Sequence, residues 1–206
     1  MNLSGFERIL NSALALYSKY GIKSITLDDL CRELGISKKT LYQHIHDKND
    51  LIRKVIDYEI SLQQKSMEKV FRSEINAIDE LIHVNRMIHE NQSNHSPTFY
   101  YDLKKYYPDI YAEWLGYKRK KMLEMIHRNL EKGISEGLYR RELDSIVISK
   151  LYMSQTESMH TSEIFDEKEL SSSRFADEVF SYHIQGICNE KGLAYYYPKI
   201  DQQQTH

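Results

Sequence analysis

Cysteine, proline and glycine are all scarce in this sequence of 206 residues, which contains 2 Cys, 3 Pro and 8 Gly. The two cysteines, Cys31 and Cys188, are far apart and lack the spacing of a metal-binding motif. We therefore expect both to be small buried residues in a reducing compartment. Residues 48–72 contain neither proline nor glycine, so we expect a long uninterrupted helix there.

The sequence also lacks long apolar runs and a large excess of charge. No segment is apolar enough to span a membrane, and the N-terminus does not resemble a signal peptide, so we expect a cytoplasmic protein without a membrane partner. The formal net charge is −2, and residues 1–50 hold seven Lys or Arg and six Asp or Glu. A local excess of only +1 argues against a protein that coats nucleic acid without sequence preference.

The common catalytic motifs are absent: there is no HExxH motif, P-loop, dinucleotide-binding glycine pattern, nucleophile elbow or Cys–His constellation. Three Glu-x-x-His pairs occur, and di-metal carboxylate bundles use this spacing on a helix face. The more common interpretation of such pairs is a surface contact. We predict that the chain is not an enzyme, has no cofactor and has no metal ligands. The pairs are Glu80/His83, Glu124/His127 and Glu157/His160.

Residues 26–51 carry the signals of a helix-turn-helix. Thr26, with Asp29 three residues later, is typical of a helix N-terminus, and Gly35 is suited to the residue after a helix end. Ser37 then caps a second short helix, and Asp47 caps a third. Two short helices joined by a tight turn place the second helix in the DNA major groove. The alternative is a surface helical hairpin with a solvated lysine pair.

The second helix divides into an inner and an outer face. We expect Leu41, Tyr42 and Ile45 to face inward. The outward residues are donors for phosphate oxygens or base edges. They are Lys38, Lys39, Thr40, Gln43 and His44.

The sequence ISKKTLY at residues 36–42, with His44 and then DKNDL at 47–51, resembles the DNA-binding domain of TetR-family transcriptional regulators. Residues 6–20 correspond to the first helix of that family. Ile45 replaces an aromatic residue of the family pattern, and Lys39 replaces a small one. The resemblance implies an all-helical homodimer that binds a palindromic operator and carries a ligand-binding C-terminal domain.

From this resemblance and the residue types we assign the DNA contacts. Lys38, Lys39 and Gln43 are the candidates for base edges. The candidates for phosphate contacts, assisted by the positive N-terminal ends of helices, are Thr26, Ser37, Thr40, Tyr42, His44 and Lys48.

Apolar periodicity and capping signals predict further helices at 48 to about 72, 74–90, 97–107, 109 to about 136, 144–160 and 173–189, with a polar loop at 161–172. Residues 48–72 are expected to act as a rigid arm. The resemblance implies that 144–160 and 173–189 pair with their symmetry mates in a four-helix bundle. We predict an all-α protein with three parts: a helix-turn-helix domain at 1–47, a ligand-binding and dimerisation domain at 48–200, and a flexible tail at 201–206.

Aromatic and methionine side chains concentrate between residues 87 and 125, and such residues suit an adaptable apolar pocket. Ordinary core packing is the alternative. We predict a small apolar or aromatic effector, bound by Met87, Phe99, Tyr100, Leu103, Trp114, Met122, Met125 and Tyr152.

Together these features predict a ligand-responsive, sequence-specific transcriptional repressor. Two alternatives stay open on the sequence: a helical di-metal carboxylate enzyme that uses the Glu-x-x-His pairs, and a constitutive architectural DNA-binding factor.

Overall fold

A computed structural model of the chain describes residues 4–93, 96–159, 164–170 and 172–201. The described residues form α-helices joined by short connections, and their one β contact is an isolated bridge between Tyr139 and Cys188. The all-α prediction is therefore confirmed. The helices are α1 Gly5–Tyr20, α2 Leu27–Leu34, α3 Lys38–Leu41, α4 Lys48–Arg72, α5 Ala77–Ser93, α6 Pro97–Tyr106, α7 Pro108–Ser135, α8 Ser145–Met159, α9 Glu167–Leu170, α10 Ser173–Ile187 and α11 Glu190–Asp201.

The first three helices begin where the capping signals place them. Ser4 and Glu7 form a capping box at α1, because each side chain accepts the other residue's backbone N–H. Thr26 and Asp29 do the same at α2. Gly35 follows α2 with a φ of 64°, the left-handed conformation that glycine adopts without strain. These local interactions set the spacing of the helix-turn-helix.

The chain divides into two compact units. Unit 1 comprises residues 1–72 and 86–117, and unit 2 comprises residues 73–85 and 118–206. The core of unit 1 brings α1 and α2 together with the inner face of α4 and with α6; its largest fully buried side chains include Tyr17, Leu30, Leu41, Leu51 and Phe99. The core of unit 2 includes Ile78, Ile126, Leu130, Tyr139, Ile184 and Tyr196. The predicted functional boundary between residues 47 and 48 stays a prediction.

The longer helices follow the proline and capping signals closely. The arm spans Lys48–Arg72 as predicted, and Pro97 and Pro108 each occupy the first position of a helix. Asp144 caps α8, since its Oδ1 accepts the N–H groups of Ile146 and Val147, both at 3.0 Å. The prediction for α5 was three residues early, because Asn76 Oδ1 accepts the Asp79 N–H at 3.0 Å and starts the helix at Ala77.

Two helices were missed in the C-terminal part. The predicted loop at 161–172 contains α9, which begins with a capping box in which Asp166 and Glu169 accept each other's backbone N–H. The segment after residue 189 forms α11, although it carries Gly192 and Pro198. Asn189 Oδ1 accepts the Gly192 N–H at 3.0 Å, so an Asn cap starts this helix. The prediction that the chain's last helix ends near residue 189 is therefore wrong, and the predicted tail at 202–206 lies outside the described residues.

Candidate DNA-binding face and aromatic cluster

The predicted DNA-reading segment, residues 37–44, is a short helix followed by a turn. Ser37 Oγ accepts the Thr40 N–H at 3.1 Å and caps α3, which ends at Leu41. The backbone then continues as a turn, with the His44 N–H donating to the Leu41 carbonyl at 2.9 Å. The helix is therefore shorter than the sequence predicted, but hydrogen bonds order the whole segment.

The inner face of this segment is only partly as predicted. Leu41 is fully buried and Ile45 is 3% exposed, so both anchor the segment to the core of unit 1. Tyr42 is 50% exposed, and the prediction that its ring packs inward is wrong. Because α3 ends at Leu41, Tyr42 belongs to the turn and its side chain leaves the inner face. Its ring is available to a partner in solvent.

The three side chains assigned to base edges, Lys38, Lys39 and Gln43, are all exposed. Lys38 Nζ lies 2.7 Å from Asp28 Oδ1 on α2, and this contact raises the pKa of the lysine. Exposed ion pairs are weak, so a nucleic acid can compete for this ammonium group. The segment therefore presents two cations and one amide on a surface fixed from below.

The residues assigned to phosphate contacts have structural contacts of their own. Thr26 and Ser37 hold helix N-termini, which point their free N–H groups to solvent near the same surface. The His44 ring stacks on Phe6, with 5.2 Å between ring centroids, and its carbonyl accepts the Lys54 ammonium at 2.9 Å. These contacts hold the backbone of the turn in place.

Lys48 connects the start of α4 to the loop between α1 and α2. Its ammonium donates to the carbonyls of Ile22 at 2.7 Å and Ile25 at 2.6 Å. Burial lowers the pKa of this half-buried lysine, with the opposing effects of Asp102 and Asp29 smaller. The sequence predicted only a phosphate contact here, and that contact stays a prediction beside the structural role.

The same loop is held by α6 through Asp102, a residue that was not singled out from the sequence. The Asp102 side chain is 4% exposed, and its Oδ2 accepts the Lys23 N–H at 2.8 Å. Gly21, with a φ of 84°, lies against Asp102 and Thr98 so closely that a Cβ atom there would be 2.7 Å from the Thr98 methyl. Asp102 and Lys23 are 79 residues apart, so no local pattern announces this contact. The loop is thus fixed between α4 and α6.

Aromatic rings of α6 and α7 form a contiguous group in unit 1, which we call the aromatic cluster: Phe99, Tyr100, Tyr111 and Trp114. Centroid distances are 5.3 Å for Phe99–Tyr100, 5.6 Å for Tyr100–Trp114 and 5.8 Å for Tyr111–Trp114. Burial raises the pKa of Tyr100 to about 12, and the negative charge of Glu59 adds to the effect. Leu103 is fully buried in the same core.

The predicted ligand-binding residues do not all lie in one unit. Met87, Phe99, Tyr100, Leu103 and Trp114 belong to unit 1. Met122, Met125 and Tyr152 belong to unit 2 and lie against its core. Tyr152 stacks on His183 of α10, with ring centroids 3.8 Å apart. Only the first group is associated with the aromatic cluster.

The carboxylates of the Glu-x-x-His pairs are occupied by cations. Glu80 is buried and contacts Arg128 at 3.1 Å and Lys132 at 2.7 Å. Glu124 pairs with Lys121, and Glu157 pairs with Arg119. His160 lies outside the described residues, and the described part of the chain contains no group of three possible metal ligands. The di-metal enzyme is not supported.

Comparison with known proteins identifies similarity at two levels. The model of a family described as "Bacterial regulatory proteins, tetR family" matches residues 9–55. A helix-turn-helix-type transcriptional regulator of Staphylococcus aureus (strain USA300) is 36% identical over 56 residues, 27% of this chain and 30% of that protein. The biofilm operon negative regulator IcaR of Staphylococcus epidermidis is 33% identical over 51 residues, 25% of this chain and 28% of that protein. These matches span under a third of each relative.

Solved structures are similar over most of the chain. A transcriptional regulator from Cytophaga hutchinsonii has a TM-score of 0.75 at 18% identity, covering 89% of this chain and 98% of that one. A putative transcriptional regulator from Saccharomonospora viridis, solved in complex with choline, has a TM-score of 0.61 at 16% identity, covering 89% and 97%. At these identities the likeness shows the fold. Among the described residues, no helix combines the length and apolar character needed to cross a bilayer.

Proposed function

Because residues 9–55 make this chain a member of the tetR family of bacterial regulatory proteins, we propose that it is a sequence-specific transcriptional repressor that responds to a small molecule. It acts in the cytoplasm as a homodimer on a palindromic operator. The observation that carries the proposal is the segment 37–44, which presents Lys38, Lys39 and Gln43 to solvent while Leu41 and Ile45 fix it from below.

In the proposed complex this segment enters the major groove. Lys39 and Gln43 contact base edges, with Lys38 joining them once it exchanges Asp28 for DNA. The phosphates are contacted by the helix ends at Thr26 and Ser37 and by Thr40, Tyr42, His44 and Lys48. The exposed Tyr42 ring supports this assignment, because its hydroxyl can reach the DNA backbone without rearrangement. Loop contacts from Lys48 and Asp102 hold this face in a fixed orientation within unit 1.

The test is DNA affinity on a duplex selected by the wild-type protein, followed by fluorescence anisotropy. Lys39→Ala is expected to cost about 1–3 kcal/mol on that duplex and much less on random DNA. Lys69→Ala removes a lysine from the exposed side of α4 and is the matched control, with unchanged affinity. If the two variants bind alike, the DNA-binding face has been misassigned.

The dimer is proposed to form through α8 and α10 of unit 2. Large apolar side chains remain exposed on both helices: Ile146 54%, Val147 56%, Leu151 61% and Tyr182 73%. Exposed apolar groups at this density mark interaction surfaces. Leu151→Glu is therefore expected to give a monomer in analytical ultracentrifugation and to abolish tight operator binding. Tyr197→Glu, on the exposed side of α11, is the control and leaves a dimer.

The effector is proposed to be a small molecule with apolar or aromatic character, bound by the aromatic cluster and Leu103 in unit 1. Met87, Met122, Met125 and Tyr152 remain candidate contacts for it. The structural neighbour solved with choline supports a small-molecule role for this fold. A ligand releases the operator only if it binds the DNA-free state more tightly than the DNA-bound state. We place the functional boundary of the DNA-binding domain at residue 47.

A further inference from the structure

Glu59 is a buried carboxylate on the inner face of the arm helix α4. It is 4% exposed, and it follows the buried Ile52, Val55 and Ile56 by seven, four and three residues. Residues at these spacings share one face of a helix, so Glu59 continues the stripe that faces the core of unit 1. Gln63, one turn further along, donates its amide N–H to Glu59 Oε1 at 3.0 Å.

The surroundings of this carboxylate are aromatic. Its negative charge contributes to the raised pKa of Tyr100, so the two groups are close enough to interact. Tyr100 is in turn in ring contact with Trp114, and Trp114 with Tyr111. The faces of such rings attract cations, most strongly for tryptophan. An acid and several ring faces therefore favour the same sign of charge in a guest molecule.

We infer that Glu59 and the aromatic cluster bind a hydrophobic organic cation, such as a quaternary ammonium ion that carries an apolar group. The inference rests on the proposed sensor function and specifies the chemical class of its effector. Removing a carboxylate from water is unfavourable, and a bound cation offsets that penalty while its apolar part fills the cluster. A neutral molecule of the same shape gains only the second contribution, and an anion is repelled.

The second buried acid of unit 1 serves a different purpose. Asp102, also 4% exposed, accepts the Lys23 N–H and holds the loop between α1 and α2. A metal ion fits Glu59 poorly, because hard cations require several oxygen ligands and the described residues contain no group of three His, Cys, Asp or Glu that could supply them. An organic cation needs only one carboxylate and ring faces.

The sequence contains one tryptophan, Trp114, which makes the experiment direct. The probe is benzyltrimethylammonium, and its neutral isostere neopentylbenzene replaces the charged nitrogen by carbon. Binding is followed by the change in Trp114 fluorescence, and confirmed by isothermal titration calorimetry. The variants are Glu59→Gln, which keeps shape but removes charge, and Glu59→Asp, which keeps charge. Glu113→Gln, on the exposed side of α7, is the matched control.

The expected result is saturable binding of the cation by wild type and by Glu113→Gln. Glu59→Gln is expected to bind at least about tenfold more weakly, with Glu59→Asp intermediate, while affinity for neopentylbenzene is unchanged. Circular dichroism verifies that each variant is folded. Equal cation affinity in Glu59→Gln and wild type, preference of wild type for the neutral isostere, or no cation binding by wild type overturns the inference.

DNA binding separates this inference from the proposed function. Operator binding without cation binding overturns the inference alone. Charge-dependent cation binding by a protein that selects no DNA sequence overturns the proposed function alone.

Discussion

Substitution of Gly21 tests the contact between α6 and the loop that carries the DNA-binding domain. Gly21 has φ 84° and ψ 156°, a region that side chains other than glycine rarely adopt, and an alanine there costs about 1–3 kcal/mol in backbone strain. Its Cβ would lie 2.7 Å from Thr98 Cγ2 and 2.9 Å from Asp102 Oδ2. Overpacking of this kind costs a further ~1–3 kcal/mol. We expect Gly21→Ala to lower the free energy of unfolding by about 2–6 kcal/mol in total.

Gly35→Ala is the matched control for this measurement. Gly35 has a φ of 64°, but no atom lies within 4 Å of the position that a Cβ would take, so only a backbone cost of about 1–2 kcal/mol applies. Urea denaturation followed by Trp114 fluorescence reports on unit 1 directly. Thr98→Ala removes the nearest atom and is expected to recover part of the loss in a Gly21→Ala background. Equal costs for the two glycine substitutions would refute the close contact between the loop and α6.

Three further predictions follow from named contacts. Lys48→Met leaves two loop carbonyls without their donor, so it should lower the urea midpoint; if the ammonium also meets phosphate, it should weaken all DNA sequences equally and reduce the salt slope by about one. Burial lowers the pKa of His183 to about 4, so the unfolded chain binds a proton first as pH falls; stability should drop by up to about 3 kcal/mol from pH 6.5 to 4, and His183→Phe should flatten this dependence. Ser66→Gly softens the α4 arm by about 1 kcal/mol and should reduce the coupling between effector and DNA binding, whereas unchanged coupling would exclude a rigid arm.

The position of that last substitution differs from the one that sequence alone suggests. Gln63 and Gln64 have the polar, outward character of a neutral test site on the arm. In the structure Gln63 holds Glu59, and Gln64 donates to the Tyr117 hydroxyl. Glycine at either position would therefore change packing as well as helix stiffness, so Ser66 is the better choice.

Features that depend on near neighbours in the chain were predictable. Ser4 with Glu7, Thr26 with Asp29, Pro97, Pro108 and Asp144 each mark a helix start because the interaction that stabilises it lies within one turn. The arm from Lys48 to Arg72 was predictable because no proline or glycine interrupts its apolar stripe.

Features that depend on distant parts of the chain were not predictable. The partners of Asp102 and Lys48 lie tens of residues away in sequence, so nothing near them indicates a buried acid or a half-buried lysine. Glu59 occupies a core-facing position that its residue type argues against. Tyr42 was placed inward because no local signal indicates that α3 ends at Leu41. Such contacts arise only when the helices have been packed together.

Selection of bound duplexes from random DNA tests the central claim most directly. The expected result is enrichment of one palindrome, with two half-sites about one helical turn apart, bound by one dimer. Gln43→Ala is expected to relax the preference at the same position in both half-sites. Enrichment of an asymmetric single site, or no enrichment at low salt, would contradict the assignment of residues 37–44 as the DNA-reading segment of a symmetric dimer.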